Sequence, residues 1–275
     1  TADVKGDPHG ETQIKYIATT CDNSAFYTVA VNDTVCKTLV ADQDEEKGGG
    51  MNAGRFGEKT VKLDGAARGF AAGNKDANLL VVPIHRKKLV FINDLTVSKQ
   101  VDVPYTPTTC TLAKDDSILA VGSGRDGENA VYIYDVANPE KPSCVINNKQ
   151  YLRNDIVSIA LTDDNAFLAT ADKDRNIWIW DLKSKNFEKP HNFNRSMKYH
   201  VGQIRHIEFG GKDGKQLLTC ANDSTLFLFA DPTQSAEYIK LPQAFIGVIK
   251  KAIFISPTTI AGVGGDNTIR FFKIE

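Results

Sequence analysis

Short apolar runs alternate with polar turns along this chain, at a spacing that suits strands and leaves no room for helices. From Leu161 to Leu182, LTDDNAFLATADKDRNIWIWDL reads as a strand end, a polar turn (Asp163, Asp164, Asn165) and a second strand, Phe167 to Ala171. A charged turn, Asp172 to Arg175, then leads to a third strand ending at Trp180-Asp181. Strand residues alternate faces, so Trp178 and Trp180 share one side and Ile177 and Ile179 the other. The phrase returns as LAKDDSILAVGS (Leu112 to Ser123) with its closing VYIYD, as FGGKDGKQLLTCANDSTLFLF and as FISPTTIAGVGGDNTIRFF. Weaker copies, ATTCDNSAFYTVAVNDTVCKTL and AAGNKDANLLVVPIHRKKLVFI, precede them. Aligned third strands fall at Thr38, Ile92, Tyr134, Trp180, Phe229 and Phe272, in steps of about 54, 42, 46, 49 and 43 residues. Several short strands per unit at such a period predict a propeller array. No segment holds a 3.6-residue apolar stripe, so no helix longer than about two turns is expected.

Fourth strands fit at Thr60 to Leu63, Lys99 to Val103, Ser143 to Ile146 and Glu237 to Leu241. The expected fold is therefore all-β: a single propeller domain over residues 1–275, with about six four-stranded blades. The stretch Ala41 to Lys59, acidic and glycine-rich, cannot pack a core and reads as a flexible loop between blades. The last unit closes on its third strand, TIRFFKIE, and Thr1 to Pro8, with Gly6 and Pro8, makes a poor fourth. Two readings stay open: the C-terminal part of a longer protein, with six blades of a seven-bladed ring, or a self-contained six-bladed ring.

Composition narrows the function more than the fold. With 41% hydrophobic and 24% charged residues the chain has an ordinary globular profile, large enough for a sizeable core. A net charge of -1 offers no basic footprint, so nucleic acid is not an expected partner. No apolar run approaches the roughly 20 residues of a membrane-spanning helix, and no membrane partner is expected. Five cysteines, odd in number and mostly within strand patterns, suit reduced thiols in the cytosol better than a disulfide framework.

Candidate chemistry dissolves on inspection. Gly48 to Gly54 lacks the Gly-Lys-Ser/Thr and the following helix of a phosphate loop. Asp172, Asp174 and Asn176 open like a calcium loop, but Ile177 replaces the turn glycine and Lys183 holds the twelfth position. His191, His200 and His206 are spaced irregularly and no Cys-x-x-Cys completes a zinc set. No catalytic residue, metal ligand, cofactor or small-molecule substrate is expected, and the chain reads as a non-enzyme.

The units resemble WD repeats, in which a Gly-His near the first strand, a turn Asp and a closing Trp-Asp recur. Trp180-Asp181 is the one intact Trp-Asp pair. The turn aspartate recurs as Asp33, Asp174, Asp223 and Asp266, and the histidine survives as His9-Gly10, in reversed order, and as His200. The resemblance implies a structural role for His200, Asp174, Asp223, Asp266, Trp180 and Asp181. The order of degenerate units, with DGAARGF, YTPTTCTLAKDDSILAVGS, YHVGQI and TTIAGVGGDNTIRFFKIE, is similar to the C-terminal propeller of the actin-interacting family, two-propeller WD proteins that assist cofilin. It implies actin and cofilin as partners, filament disassembly as the activity and a cytoplasmic, cytoskeleton-associated location. The alternative is a generic WD-repeat scaffold or substrate-receptor subunit of another complex.

Partner-binding candidates sit in the turns between second and third strands, a face on which propellers dock partners. One turn carries His85, Arg86, Lys87 and Lys88; others carry Arg125, Lys173 and Arg175. A rim of mixed charge steers an acidic partner and sets register. The competing reading is a set of solvated turns that discourage aggregation.

Overall fold

The computed structural model describes residues 12–39, 56–125, 127–195 and 197–274. The N-terminal stretch Thr1 to Pro8, His9-Gly10 and positions 41–55 of the expected loop lie outside the described residues. Among the described residues every regular element is a strand, and the strands form six antiparallel sheets of three or four. The fold is an all-β β-propeller built of repeated antiparallel sheets. The chain falls into two compact units, Thr1–Asp116 and Ser117–Glu275.

The first unit holds two four-stranded sheets in simple sequential order. One comprises β1 (Ile14–Thr19), β2 (Ala25–Ala30), β3 (Thr34–Leu39) and β4 (Phe56–Lys62). The next comprises β5 (Ala71–Ala72), β6 (Leu79–Ile84), β7 (Lys88–Asn93) and β8 (Thr96–Asp102), followed by β9 (Pro107–Leu112). Strand β4 begins at Phe56, so the last positions of the expected loop, 56–59, belong to a strand, in which Phe56 pairs with Thr38 of β3 across a register shift. Middle strands such as β6, LLVVPI, are covered on both faces, which is why they read as continuous apolar runs. Tyr27, Val29 and Val35 of the first sheet share a core with Leu80, Val82, Ile84 and Ile92 of the second. The Tyr27 hydroxyl reaches past that core to donate to the Ala77 carbonyl at 3.1 Å.

The second unit contains β10 (Ile118–Ser123), β11 (Val131–Asp135) and β12 (Cys144–Ile146), then β13 (Ile156–Leu161), β14 (Phe167–Asp172) and β15 (Ile177–Asp181). There follow β16 (Ile204–Gly210), β17 (Gln216–Ala221), β18 (Leu226–Phe229) and β19 (Tyr238–Leu241), then β20 (Ile249–Ser256), β21 (Thr259–Gly264) and β22 (Ile269–Lys273). Period-two alternation assigns each sheet's two faces to its two neighbours. Leu217, Phe227 and Phe229 pack with Ala169, Ile177 and Ile179 of the preceding sheet. Leu218, Cys220, Leu226 and Leu228 pack with Phe245, Ile249, Ala252 and Ile260 of the following one. Each such side chain contributes about 1.5–3 kcal/mol by leaving water.

Both tryptophans lie on one side of β15, with the ring of Tyr151 set edge-on to each, at 5.1 and 6.4 Å between centroids. Ile177 and Ile179 face the next sheet, as the alternation requires. Trp180 is fully buried, and its indole N–H donates to the Thr170 hydroxyl at 3.1 Å.

The β13–β15 sheet has three strands, and the open edge of β15 is closed by a side chain. Buried Asn192 accepts from the Ile179 N–H at 2.9 Å and donates to the Ile177 carbonyl at 3.1 Å, while the His191 N–H donates to the Ile179 carbonyl. One amide thus imitates a fourth strand. All five cysteines are free thiols; Cys36, Cys110 and Cys220 are buried in strands, Cys144 is half-buried in one, and Cys21 is exposed in a turn.

Candidate interaction surface

The turns between second and third strands share one backbone device. Asp33, Lys87, Arg125, Arg175, Ser224 and Asn267 all have positive φ, between 56° and 71°. The left-handed conformation closes these tight turns, and Gly, Asn or Asp adopt it at least cost. A long β-methylene side chain there costs roughly 1–2 kcal/mol, yet Lys87, Arg125 and Arg175 hold three of the positions.

In the first unit the turn at 85–87 exposes His85, Arg86 and Lys87, whereas Lys88 is the first residue of β7, opposite Asp102. Three of the four basic residues thus occupy the turn, and the fourth, half-buried, opens the strand that follows it. Arg86 pairs with Asp64 while both stay more than half exposed, at 63% and 56%, so water screens the pair. The Lys87 ammonium donates to the Pro104 carbonyl at 3.3 Å, and the His85 ring meets the Arg68 guanidinium at 3.3 Å.

In the second unit the organising residue is Asp155, which the sequence reading passed over. Its carboxylate accepts from the Arg125 backbone N–H and the Lys173 ammonium, both at 2.6 Å. Burial raises the affinity of Asp155 for its proton, but Lys173 and the Arg125 N–H outweigh that and hold its carboxyl below the ordinary value. A side chain at Gly124 would strike this carboxylate, which explains glycine there. The only signal in the sequence was an acidic residue just ahead of a strand, beside the Trp-Asp unit. Arg175 extends to the Val201 carbonyl at 2.7 Å, tying its turn to the next sheet's loop.

One sheet carries a full hydrogen-bonded set. His200 is buried, with Nδ1 3.0 Å from Asp223 and Nε2 2.9 Å from the Thr219 hydroxyl. Burial pushes the His200 pKa down against the attraction of Asp223. Burial pushes Asp223 up, but the His200 charge and the Gly202 and Val201 N–H groups bring it below its ordinary value. With the Val201, Gly202 and Thr225 N–H groups as further donors, Asp223 ties loop to hairpin. Asp266 repeats the tie, accepting from the Ile246 N–H at 3.1 Å and the Thr268 hydroxyl at 2.7 Å. Asp174 occupies the equivalent turn position but is exposed; Asp155 makes the tie in its sheet. Asp172, the start of the calcium-like pattern, accepts from the Asn176 backbone and side chain and closes a hairpin. Asp181 caps the turn after β15 through the Lys183 and Ser184 N–H groups.

Among the described residues no group of three or more His, Cys, Asp or Glu side chains could hold a metal ion. Among them, too, no helix is long and apolar enough to cross a membrane.

The family model for the WD domain, G-beta repeat, matches residues 144–181, the unit that ends in Trp180-Asp181. Over 226 residues, 82% of this chain, it is 22% identical to the 66 kDa stress protein of Physarum polycephalum, covering 35% of that protein. Over 177 residues, 64% of this chain, it is 24% identical to Actin-interacting protein 1 of Caenorhabditis elegans, covering 27% of it. The chain thus spans about a third of the length of these relatives.

Proposed function

Starting from a chain that is a WD-repeat propeller resembling actin-interacting protein, we propose that it is a non-catalytic interaction module that binds actin and cofilin-decorated filaments and promotes their disassembly. The observation that carries this reading is the placement of Lys87, Arg125 and Arg175 in left-handed turns where Asn or Gly would fold more cheaply. Strain kept at a surface turn points to a use for the side chain that folding does not supply. The similarity to a protein named for interacting with actin supplies the partner. A cytoplasmic, cytoskeleton-associated location goes with it. Such a module works by binding the cofilin-decorated filament more tightly than the bare one, which shifts the filament toward disassembly.

Co-sedimentation with cofilin-decorated filaments tests this. The chain pellets with decorated filaments, and charge reversal of Arg86, Lys87 and Lys88 lowers the pelleted fraction while the circular dichroism spectrum stays unchanged. Equal pelleting of the reversed protein makes that turn a solvated one. Failure of the parent to pellet removes the actin assignment and leaves the second reading, a WD-repeat scaffold or substrate-receptor subunit of another complex.

A further inference from the structure

The rim of the second unit also presents aliphatic side chains to water. Val201 is 79% exposed and Ile246 76%. Isolated exposed hydrophobes are ordinary. These two, however, occupy the same register position in adjacent sheets, three residues before the strand starts Ile204 and Ile249. Each is held there by its own backbone, the Val201 N–H on Asp223 at 2.8 Å and the Ile246 N–H on Asp266 at 3.1 Å. The intervening turn links them, since the Ser224 hydroxyl donates to the Gly247 carbonyl. Val248, 39% exposed, lies two residues further on. On the loops themselves these hydrogen bonds use main-chain N–H and carbonyl groups, so the apolar side chains are not what they require. Arg153 occupies the same register position ahead of β13 and is exposed.

Charge on this ridge is sorted by depth. The carboxylates of Asp155, Asp223 and Asp266 are turned inward onto backbone and partner groups, with 13%, 6% and 11% of their side chains exposed. Lys173 leaves 48% of its side chain in solvent, and Arg175 lies against the Val201 carbonyl itself. In the turns after β14, β17 and β21, Asp174 is exposed where Asp223 and Asp266 are turned inward. The outward face is therefore apolar in the middle and mainly cationic toward the Trp-Asp sheet.

From this arrangement we propose that the ridge of Val201, Ile246 and Val248, bordered by Arg153, Lys173 and Arg175, docks an extended acidic segment of a protein partner carrying aliphatic or aromatic side chains. Rigid loops lower the ordering cost of binding, apolar contacts supply affinity, and the cations supply orientation and rate. The proposal rests on reading the chain as an interaction module, though not on actin as the partner.

Selection of a random 12-residue displayed peptide library on the full chain tests it. Enriched peptides carry net negative charge and apolar residues, and a synthetic peptide of the enriched sequence binds V201S/I246S at least 10-fold more weakly, with an unchanged melting curve. Its affinity for the parent falls as salt rises and falls again with Arg153→Glu. Basic or uncharged enriched peptides, no enrichment, or equal binding to V201S/I246S each overturn the proposal. Filament co-sedimentation on the same samples separates the two readings: peptide binding without pelleting sinks actin alone, and pelleting without peptide binding sinks this ridge alone.

Discussion

Trp180 shows how much one side chain carries here. It fills the space beside Tyr151 and spends its N–H on Thr170, so neither its surface nor its polar atom is left unmatched. Trp180→Ala should cost about 3–5 kcal/mol in denaturant melts, and Trp180→Phe less, because the volume is nearly kept. A loss under about 1 kcal/mol for the alanine variant contradicts the packing described. Lys87 is the opposite case, a residue that opposes folding: at φ 56° its side chain is strained. Lys87→Gly should change stability by about 0.4–1 kcal/mol in the favourable direction if strain relief exceeds the added freedom of the unfolded chain. The same variant should bind decorated filaments more weakly. Destabilisation would show that the Lys87–Pro104 contact outweighs the strain.

Histidines set the acid side of the stability curve. Burial, with Lys251 adding to it, pushes His206 down to about 3 from an ordinary 6.5. A group whose folded pKa is lowered binds its proton more readily when unfolded, so stability falls as pH drops below about 6.5. Allowing for its partial exposure, His206 should cost about 1–2 kcal/mol between pH 7 and pH 5. His206→Gln should flatten that part of a urea-melt series taken against pH. An unchanged slope shows that the ring protonates freely in the folded state.

Among the elements, the three-stranded sheet depends on a substitute edge. Asn192→Ala removes the acceptor of the Ile179 N–H and a donor to the Ile177 carbonyl, and leaving such groups unmet costs about 1–3 kcal/mol each. Faster amide exchange at Ile179 than at Leu168 should follow in Asn192→Ala alone; equal exchange in both proteins means that Asn192 is not the edge. Elements like β15 were legible because the signal is local: Ile177, Ile179 and Trp180 alternate within one strand and need no distant partner. The fourth strands were found within a few residues for the same reason. Asn192 was illegible, because an asparagine in HNFNRS says nothing of an edge brought to it by the chain's path. Asp155 failed likewise: its partners, Arg125 and Lys173, lie 30 and 18 residues away. Within the basic run from His85 to Lys88, composition alone did not show where the turn ends and the strand begins, at Lys88 opposite Asp102.

At the scale of the whole molecule, the repeat made the fold readable while hiding the site. Every sheet answers the same packing problem, so the repeated residues describe the core, and partner choice is left to turns without a shared motif. If the chain binds filaments as proposed, a second copy held beside it binds at high effective concentration. Joining two copies by a flexible linker should therefore tighten binding to decorated filaments, on the order of 100-fold if both engage at once. Equal affinity of single and tandem chains in co-sedimentation shows that only one copy reaches the filament.

The left-handed turn described above has a wider consequence. Its shape is set by one backbone torsion and by hydrogen bonds that use main-chain atoms or an inward-facing aspartate. Residues as different as Asp33, Lys87, Arg175, Ser224 and Asn267 occupy it without altering the hairpin. Heredity can thus rewrite what the molecule greets at a cost of a kilocalorie or so, while the sheets beneath remain indifferent. Lineages built on this scaffold are free to exchange partners long before they lose their architecture.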